Sequence, residues 1–223
     1  MGGGIRRRAV AVLLSLFLGP GAALAEAPFE KEIAAFEAHD RMREPAEGAT
    51  LFVGSSSIRL WESLEKDFPS ALKVVSRGFG GARLADCVRY APRLLAPYAR
   101  RKPRRVVLYA GENDLAEGAD PEQTVERFEA FVKQARGVLP ATPITFISIK
   151  PSPARRALDE KFRLANRLIR ARAASRRVDF VDVYSAMVDA KGEPRPELFL
   201  TDDGLHMAPA GYALWREKLL PRL

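Results

Sequence analysis

Two histidines occur among the 223 residues, His39 and His206. His206 closes the run Thr201-Asp202-Asp203-Gly204-Leu205-His206, three residues after a carboxylate. Imidazole is the side chain that most readily gives and takes protons near neutral pH. To act as a base it needs a partner that fixes its tautomer and orientation. Asp203 can serve across a short turn, with Gly204 allowing the bend. His39 lies in a polar stretch and reads as a surface residue. Cys87 is the single cysteine, so no intramolecular disulfide forms. It sits among Leu84, Val88 and Leu94 on an expected helix and reads as a small buried hydrophobe.

A base implies a proton donor. Gly54-Ser55-Ser56-Ser57 follows the apolar run Leu51-Phe52-Val53 and precedes an expected helix. A serine there has two readings. It can be a nucleophile beside helix-start N–H groups that also favour an oxyanion, or it can simply cap the helix. Three adjacent serines allow both roles to be filled by different residues. A second loop, Arg77-Gly78-Phe79-Gly80-Gly81-Ala82, has the glycines that let backbone N–H groups approach a ligand. It matches neither the dinucleotide fingerprint nor a phosphate loop, which needs a lysine. The third, Gly111-Glu112-Asn113-Asp114, offers an asparagine amide, a neutral donor suited to an oxyanion hole. The same residue types also make ordinary turns.

These loops need elements to carry them. Five apolar runs read as strands: Leu51–Val53, Lys73–Val75, Val106–Tyr109, Ile144–Ile149 and Val178–Val183. Helical patterns separate them. One carries Ile58, Leu60, Trp61 and Leu64. Another runs from about Leu84 to Tyr98. A third opens at Pro121 and carries Val125, Phe128, Phe131 and Val132. An arginine-rich helix spans about Ala154 to Ser175, and a last helix starts near Pro209. Strands alternating with helices imply βαβ units and a parallel sheet buried on both faces. Right-handed crossovers make this a three-layer α/β/α sandwich with a five-stranded sheet. Sites in such folds form beyond the carboxyl ends of the strands, where all four loops fall.

Four blocks in order carry a family resemblance: Gly54-Ser55-Ser56, Gly80-Gly81, Gly111-x-Asn113-Asp114 and Asp203-x-x-His206. The chain resembles the SGNH hydrolases, also called the GDSL esterase and lipase family, from about Thr50 onward. Within it the chain is most similar to lysophospholipase-like and platelet-activating-factor acetylhydrolase-like members. The resemblance implies a flavodoxin-like fold and carboxylic ester hydrolysis with no metal or organic cofactor. It implies Ser56 as nucleophile, His206 as base and Asp203 as its orienting acid. It implies an oxyanion hole from the N–H groups of Ser56 and Gly81 and the Asn113 amide. One position departs from the pattern: Ser55 stands where the family has aspartate. The family's triad carboxylate comes from the D-x-x-H block, so the change is not expected to abolish catalysis. It does make the choice of nucleophile among the three serines less obvious, and aligning on Gly54 is what assigns Ser56. Ser55 becomes a candidate for local loop hydrogen bonds, and Ser57 takes the place of a leucine.

Composition frames these expectations. Hydrophobic residues make up 47% and charged residues 29%, a globular balance. Residues 1–25 read as a secretory signal peptide: Arg6, Arg7 and Arg8, then an apolar run Ala9–Leu18, then Ala23-Leu24-Ala25. The apolar run is short for a bilayer span. Export to a bacterial periplasm or beyond is expected, with an N-terminal helix and linker over 26–49 and the hydrolase domain over 50–223. The net charge is +8. Residues 1–25 hold three arginines and no acid, so the chain without them carries +5. The arginines of the basic helix read as a solvated face, and no nucleic-acid motif accompanies them. Expected substrates are short acyl esters of cell-envelope or dietary glycans, and lysophospholipids. The sequence does not assign an oligomeric state.

Several residues keep two readings. Phe79, Trp61 and Leu115 line a lipid channel or pack in the core. Lys150, after the fourth strand, meets an anionic substrate or is a surface lysine. Two other classes stand as rivals. A metal-dependent phosphoesterase would use Asp202, Asp203, Glu112, Asp114 and His206, but such sites commonly draw on several histidines. A catalytically silent binding protein would leave the whole inventory unused.

Overall fold

In the computed structural model, Met1 and residues 27–223 are described, so the export-signal reading of residues 1–25 lies outside the described residues. The five apolar runs form strands β1 Thr50–Gly54, β2 Val74–Gly78, β3 Arg105–Tyr109, β4 Ile144–Ile147 and β5 Val178–Val181. They form one parallel sheet in the order β2-β1-β3-β4-β5. Alternate side chains enter two cores, as the two-residue period of a strand requires. Leu51, Val53, Val106 and Leu108 face the first core. Phe52, Val107 and Tyr109 face the second. Both faces are covered, which is why the strands read as continuous apolar runs.

The first core is closed by α1 Glu30–Met42, α4 Leu84–Leu95, α6 Pro121–Val138 and α7 Asp159–Ser175. The second is closed by α2 Ser56–Arg59, α3 Leu64–Asp67 and α8 Pro209–Leu219. This is the expected α/β/α sandwich. Helix α1 is fastened to it by Ile33, which is fully buried, and by Arg93, which bonds Glu30 and Glu37. Pro121 opens α6 behind an Asp120 cap, as its position suggested. Cys87 is buried, and burial pushes its thiol well above its ordinary value. Phe79, Trp61 and Leu115 are all core residues, so the channel reading of them falls away.

The strand bounds shift: β2 runs on through Arg77 and Gly78, read from the sequence as loop, and β4 and β5 end at Ile147 and Val181 rather than Ile149 and Val183. Three further expectations change in detail. The helix after β1 is two single turns, α2 and α3, rather than one. The break at Leu60–Ser63 turns Trp61 inward among Phe52, Phe68, Tyr212 and Trp215. The basic helix begins at Asp159, after a 3-10 stretch over Pro153–Leu158. The loop after β3 contains a short helix, α5 Glu112–Ala116. Along the basic helix Arg163 pairs with Asp159, Arg170 with Asp182 and Arg176 with Glu129.

Register brings the site loops to one level. Gly54 pairs with Gly78 on β2 and with Tyr109 on β3. The loops after these three strands therefore leave the same edge together. β1 is flanked by β2 and β3, so the chain reverses its progression there, and such switch points open a crevice in doubly wound sheets. Gly54 has no substitute at this approach: a Cβ would lie 2.0 Å from the Tyr109 carbonyl oxygen.

Candidate active site

Ser56 is the first residue of α2 and is partly exposed at the sheet rim. The first-turn amides of any helix have no acceptor within it, so the chain around Ser56 presents N–H groups without need of a long helix. Ser55 precedes it, donating its N–H to the Tyr109 carbonyl at 3.0 Å and accepting from Ile58 and Arg59 through its carbonyl. Ser55 and Ser57 are buried, at 3% and 1% residue exposure. Ser55 makes its loop bonds through its backbone, and its side chain does not cap the helix.

His206 meets Ser56 across 150 positions of sequence. Its Nε2 lies 3.0 Å from Ser56 Oγ. On the other side of the ring, Nδ1 lies 2.5 Å from Asp203 Oδ2. Asp203 Oδ1 accepts the N–H groups of Leu205 at 2.8 Å and His206 at 2.9 Å. Burial works to raise the Asp203 pKa, but these two N–H bonds and the histidine outweigh it and bring the carboxyl down to about 2. An ionised Asp203 holds the Nδ1 proton, which leaves Nε2 as the acceptor facing Ser56. Asp202 stays exposed beside this chain and takes no part in it.

The turn that carries His206 is closed on itself and held from below. Leu200 donates its N–H to the His206 carbonyl at 2.8 Å, and Gly204 donates to Leu200 at 2.9 Å. Ala154 reaches up to the Gly204 carbonyl at 3.0 Å. Lys150 Nζ donates to the Leu205 carbonyl at 2.7 Å. Lys150 is 1% exposed and pairs with Glu112 at 3.0 Å. Glu112 in turn accepts from Tyr109 Oη at 2.8 Å and meets Arg155 at 3.3 Å. Burial pulls the Lys150 ammonium down from its ordinary value, and Glu112 opposes that pull. Lys150 is therefore neither a surface lysine nor a group turned toward an anionic ligand. It is a strut under the Asp203–His206 turn. Sequence reasoning missed this role, and missed Glu112 as its partner, because the two are 38 residues apart and in different βα loops.

The expected oxyanion donors stand at the same rim. Gly81 has φ +78°, a left-handed conformation that favours glycine, and open space lies where a Cβ would point. Among the described residues its N–H has no backbone acceptor. Asn113 Nδ2 donates to the Ala82 carbonyl at 3.1 Å, which ties the third loop to the second and uses one of its two amide hydrogens. Asp114 is committed elsewhere: it accepts from the Leu84 N–H at 2.7 Å and from Arg127 at 2.7 Å. With Glu112 bound to Lys150, the carboxylates of the metal-site rival point to separate partners. Among the described residues no three His, Cys, Asp or Glu side chains form a group that could hold a metal ion. His39 lies on the exposed side of α1 near Asp40.

A parallel α/β/α sandwich with a serine, an imidazole and a carboxylate in hydrogen-bonded series at its switch-point rim defines a hydrolase-type site. Residues 47–214 match the model of the GDSL-like lipase/acylhydrolase family, and the chain belongs to that family. It is accordingly a carboxylic ester hydrolase. No curated protein matches the chain. Among solved structures, a candidate platelet activating factor of Streptococcus pneumonia is similar at 22% identity and a TM-score of 0.76, covering 86% of this chain and 91% of that one. A GDSL-like lipase of Bacteroides thetaiotaomicron is similar at 22% identity and a TM-score of 0.72, over 86% and 95% of the two chains. A candidate acylhydrolase of Bacteroides fragilis is similar at 22% and 0.71, over 83% and 92%. No described helix is long and apolar enough to cross a membrane.

Proposed function

We propose that this enzyme works through a Ser56–His206–Asp203 triad and an acyl-enzyme. The observation that carries the reading is the unbroken series Asp203 Oδ2, His206 Nδ1, His206 Nε2, Ser56 Oγ, at 2.5 Å and 3.0 Å. Ser56 Oγ attacks the ester carbonyl while Nε2 takes its proton. Asp203 stabilises the imidazolium. The N–H groups of Ser56 and Gly81 and the free Asn113 amide hydrogen hold the oxyanion. The C–O bond to the alcohol breaks, and its oxygen leaves with the proton from His206. Water then repeats the sequence against the acyl-enzyme and releases the acid.

The substrates in this reading are short-chain acyl esters or lysophospholipid-like esters of the cell envelope, reached by an exported enzyme. Ser56→Ala is the direct test. It is expected to abolish turnover of a short acyl ester and labelling by a serine-directed fluorophosphonate, while the protein stays folded. Full activity in that variant overturns the assignment.

A further inference from the structure

Residues 47–214 match the family, and α1 lies before them. Yet its N-terminal end reaches the rim where the oxyanion donors stand. Ala27, Pro28, Phe29 and Glu30 form a turn, closed by the Glu30 N–H on the Ala27 carbonyl at 3.1 Å. Phe29 is its third residue, with φ +66° and ψ 8°. Turns of this kind give that place to glycine or asparagine, and a bulky residue there is strained. Capping does not explain the choice, because the Phe29 side chain makes no cap bond. The ring meets Phe79 instead, edge to face, with 5.2 Å between centroids. Tyr90 of α4 also packs on Phe79, at 6.1 Å, and donates its hydroxyl to the Pro28 carbonyl, which holds the turn over Phe79. The helix behind the turn is fixed by Arg93 on Glu30 and Glu37 and by Arg77 on Asp40.

Phe79 is fully buried and opens the turn that carries Gly81, closed by the Ala82 N–H on the Phe79 carbonyl at 3.3 Å. Backbone bonds tie this turn at two points. The Phe79 N–H donates to the Gly54 carbonyl at 2.9 Å, and the Ala82 carbonyl accepts from Asn113 at 3.1 Å. Two ties leave a rotation about the line joining them, and that rotation swings the Gly81 N–H. The Phe79 ring is the third fixed point, and Phe29 closes its seat. We propose that Phe29 is a positioning residue for ester hydrolysis, acting through Phe79 to hold the Gly81 N–H at the oxyanion. The aromatic contact is what keeps an aromatic residue where the backbone favours glycine. The proposal rests on the oxyanion reading above and extends that site to a helix outside the family match.

Phe29→Gly is the test, because glycine suits the turn and only the ring is lost. The probes are p-nitrophenyl acetate and an alkyl trifluoromethyl ketone. Ser56 Oγ adds to the ketone carbonyl, its proton passes to His206, and the ketone oxygen becomes an oxyanion that needs the same donors. In the variant kcat is expected to fall about tenfold with KM unchanged, and ketone affinity to fall by the same factor. The loss is smaller than the roughly 100- to 1000-fold that removing a donor outright costs, because the N–H is displaced rather than deleted. Thermal unfolding checks that the variant is folded. A packing role alone lowers the melting temperature and leaves kcat and ketone affinity unchanged, and that result overturns the proposal. So does a rise in KM at constant kcat, or a fall in kcat that the ketone does not share. If Phe29→Gly does not fold, Phe29→Leu carries the test with the same split in smaller degree, and an unchanged kcat there overturns it. Asn113→Ala separates this proposal from the reading beneath it. Unchanged rates in both variants refute the oxyanion hole, whereas a loss in Asn113→Ala alone refutes only the role of Phe29.

Discussion

Lys150 Nζ donates to the backbone carbonyl of Leu205 at 2.7 Å, one residue before the histidine of the site. The ammonium that makes this bond is buried and balanced by Glu112. A buried charge is costly without a partner, and removing one member of such a pair strands the other. This strut therefore does two things at once: it neutralises Glu112 under the site, and it fixes the height of the turn that sets the His206–Ser56 distance.

Lys150→Met should destabilise the fold toward the low end of the roughly 3–5 kcal/mol that unpairing a buried charge costs, because Arg155 still meets Glu112 at 3.3 Å. Lys150→Met combined with Glu112→Gln should recover part of that loss, because no buried carboxylate is left short of its ammonium and the Arg155 that loses Glu112 is partly exposed to solvent. Urea unfolding of the three proteins checks this. The double variant separates stability from positioning. With the fold restored but the Leu205 carbonyl released, kcat should stay low while KM moves little. A double variant that regains full kcat would make Lys150 purely structural.

Why this strut was illegible in the sequence, while the site above it was not, has a physical reason. His206 and Asp203 are three residues apart, and a histidine this scarce narrows the search for a nucleophile. The strands were legible because burial on both faces writes an apolar run such as Leu51-Phe52-Val53. Lys150 and Glu112 meet only because β3 and β4 are neighbours in the sheet, and nothing local announces that two charged residues will be buried together. The same holds for Asp114, read as a candidate metal ligand or turn residue. Its carboxylate binds the Leu84 N–H and Arg127, each brought to it by the fold. The break between α2 and α3 was hidden for a related reason. Ile58, Leu60, Trp61 and Leu64 suit one helical face, yet the aromatic cluster pulls Trp61 inward and leaves Leu60 out.

Asn113 sits between two demands. One amide hydrogen holds the Ala82 carbonyl, and the other is assigned to the oxyanion. Asn113→Ala should lower kcat by about 100- to 1000-fold with little change in KM, as loss of a donor that acts mainly in the transition state requires. Steady-state kinetics on a short acyl ester is the check. A rise in KM at constant kcat would mean that Asn113 binds substrate rather than the developing charge.

Of the three adjacent serines, the outer two are buried and Ser56 alone faces His206. Ser55→Ala and Ser57→Ala should each keep fluorophosphonate labelling, since neither removes the attacking oxygen. The expected rate loss is within about tenfold, from loosening of the turn rather than loss of a reacting group. Mass spectrometry of the labelled peptide should find the adduct on Ser56 in both variants. An adduct on another serine would redirect the mechanism.

Asp203 gives the pH prediction its sign. Its folded-state pKa is depressed to about 2, below the ordinary carboxylate value of about 4. A depressed acid contributes stability that is present above its unfolded pKa and is lost as pH falls through the folded one. The wild type should therefore hold a stability advantage over Asp203→Asn at pH 6 that shrinks between about pH 4 and pH 2. The carboxylate is partly exposed, so solvent screens the advantage and it should be modest. Activity should respond far more strongly than stability. Asparagine can donate to Nδ1 and so favours the wrong imidazole tautomer, a change that costs on the order of 10⁴-fold in kcat where a serine triad depends on its acid. Thermal unfolding across pH 2–6 together with kcat at neutral pH separates the two effects. A variant that loses stability as expected yet keeps its rate would leave Asp203 as a prop for the turn and remove it from the proton relay.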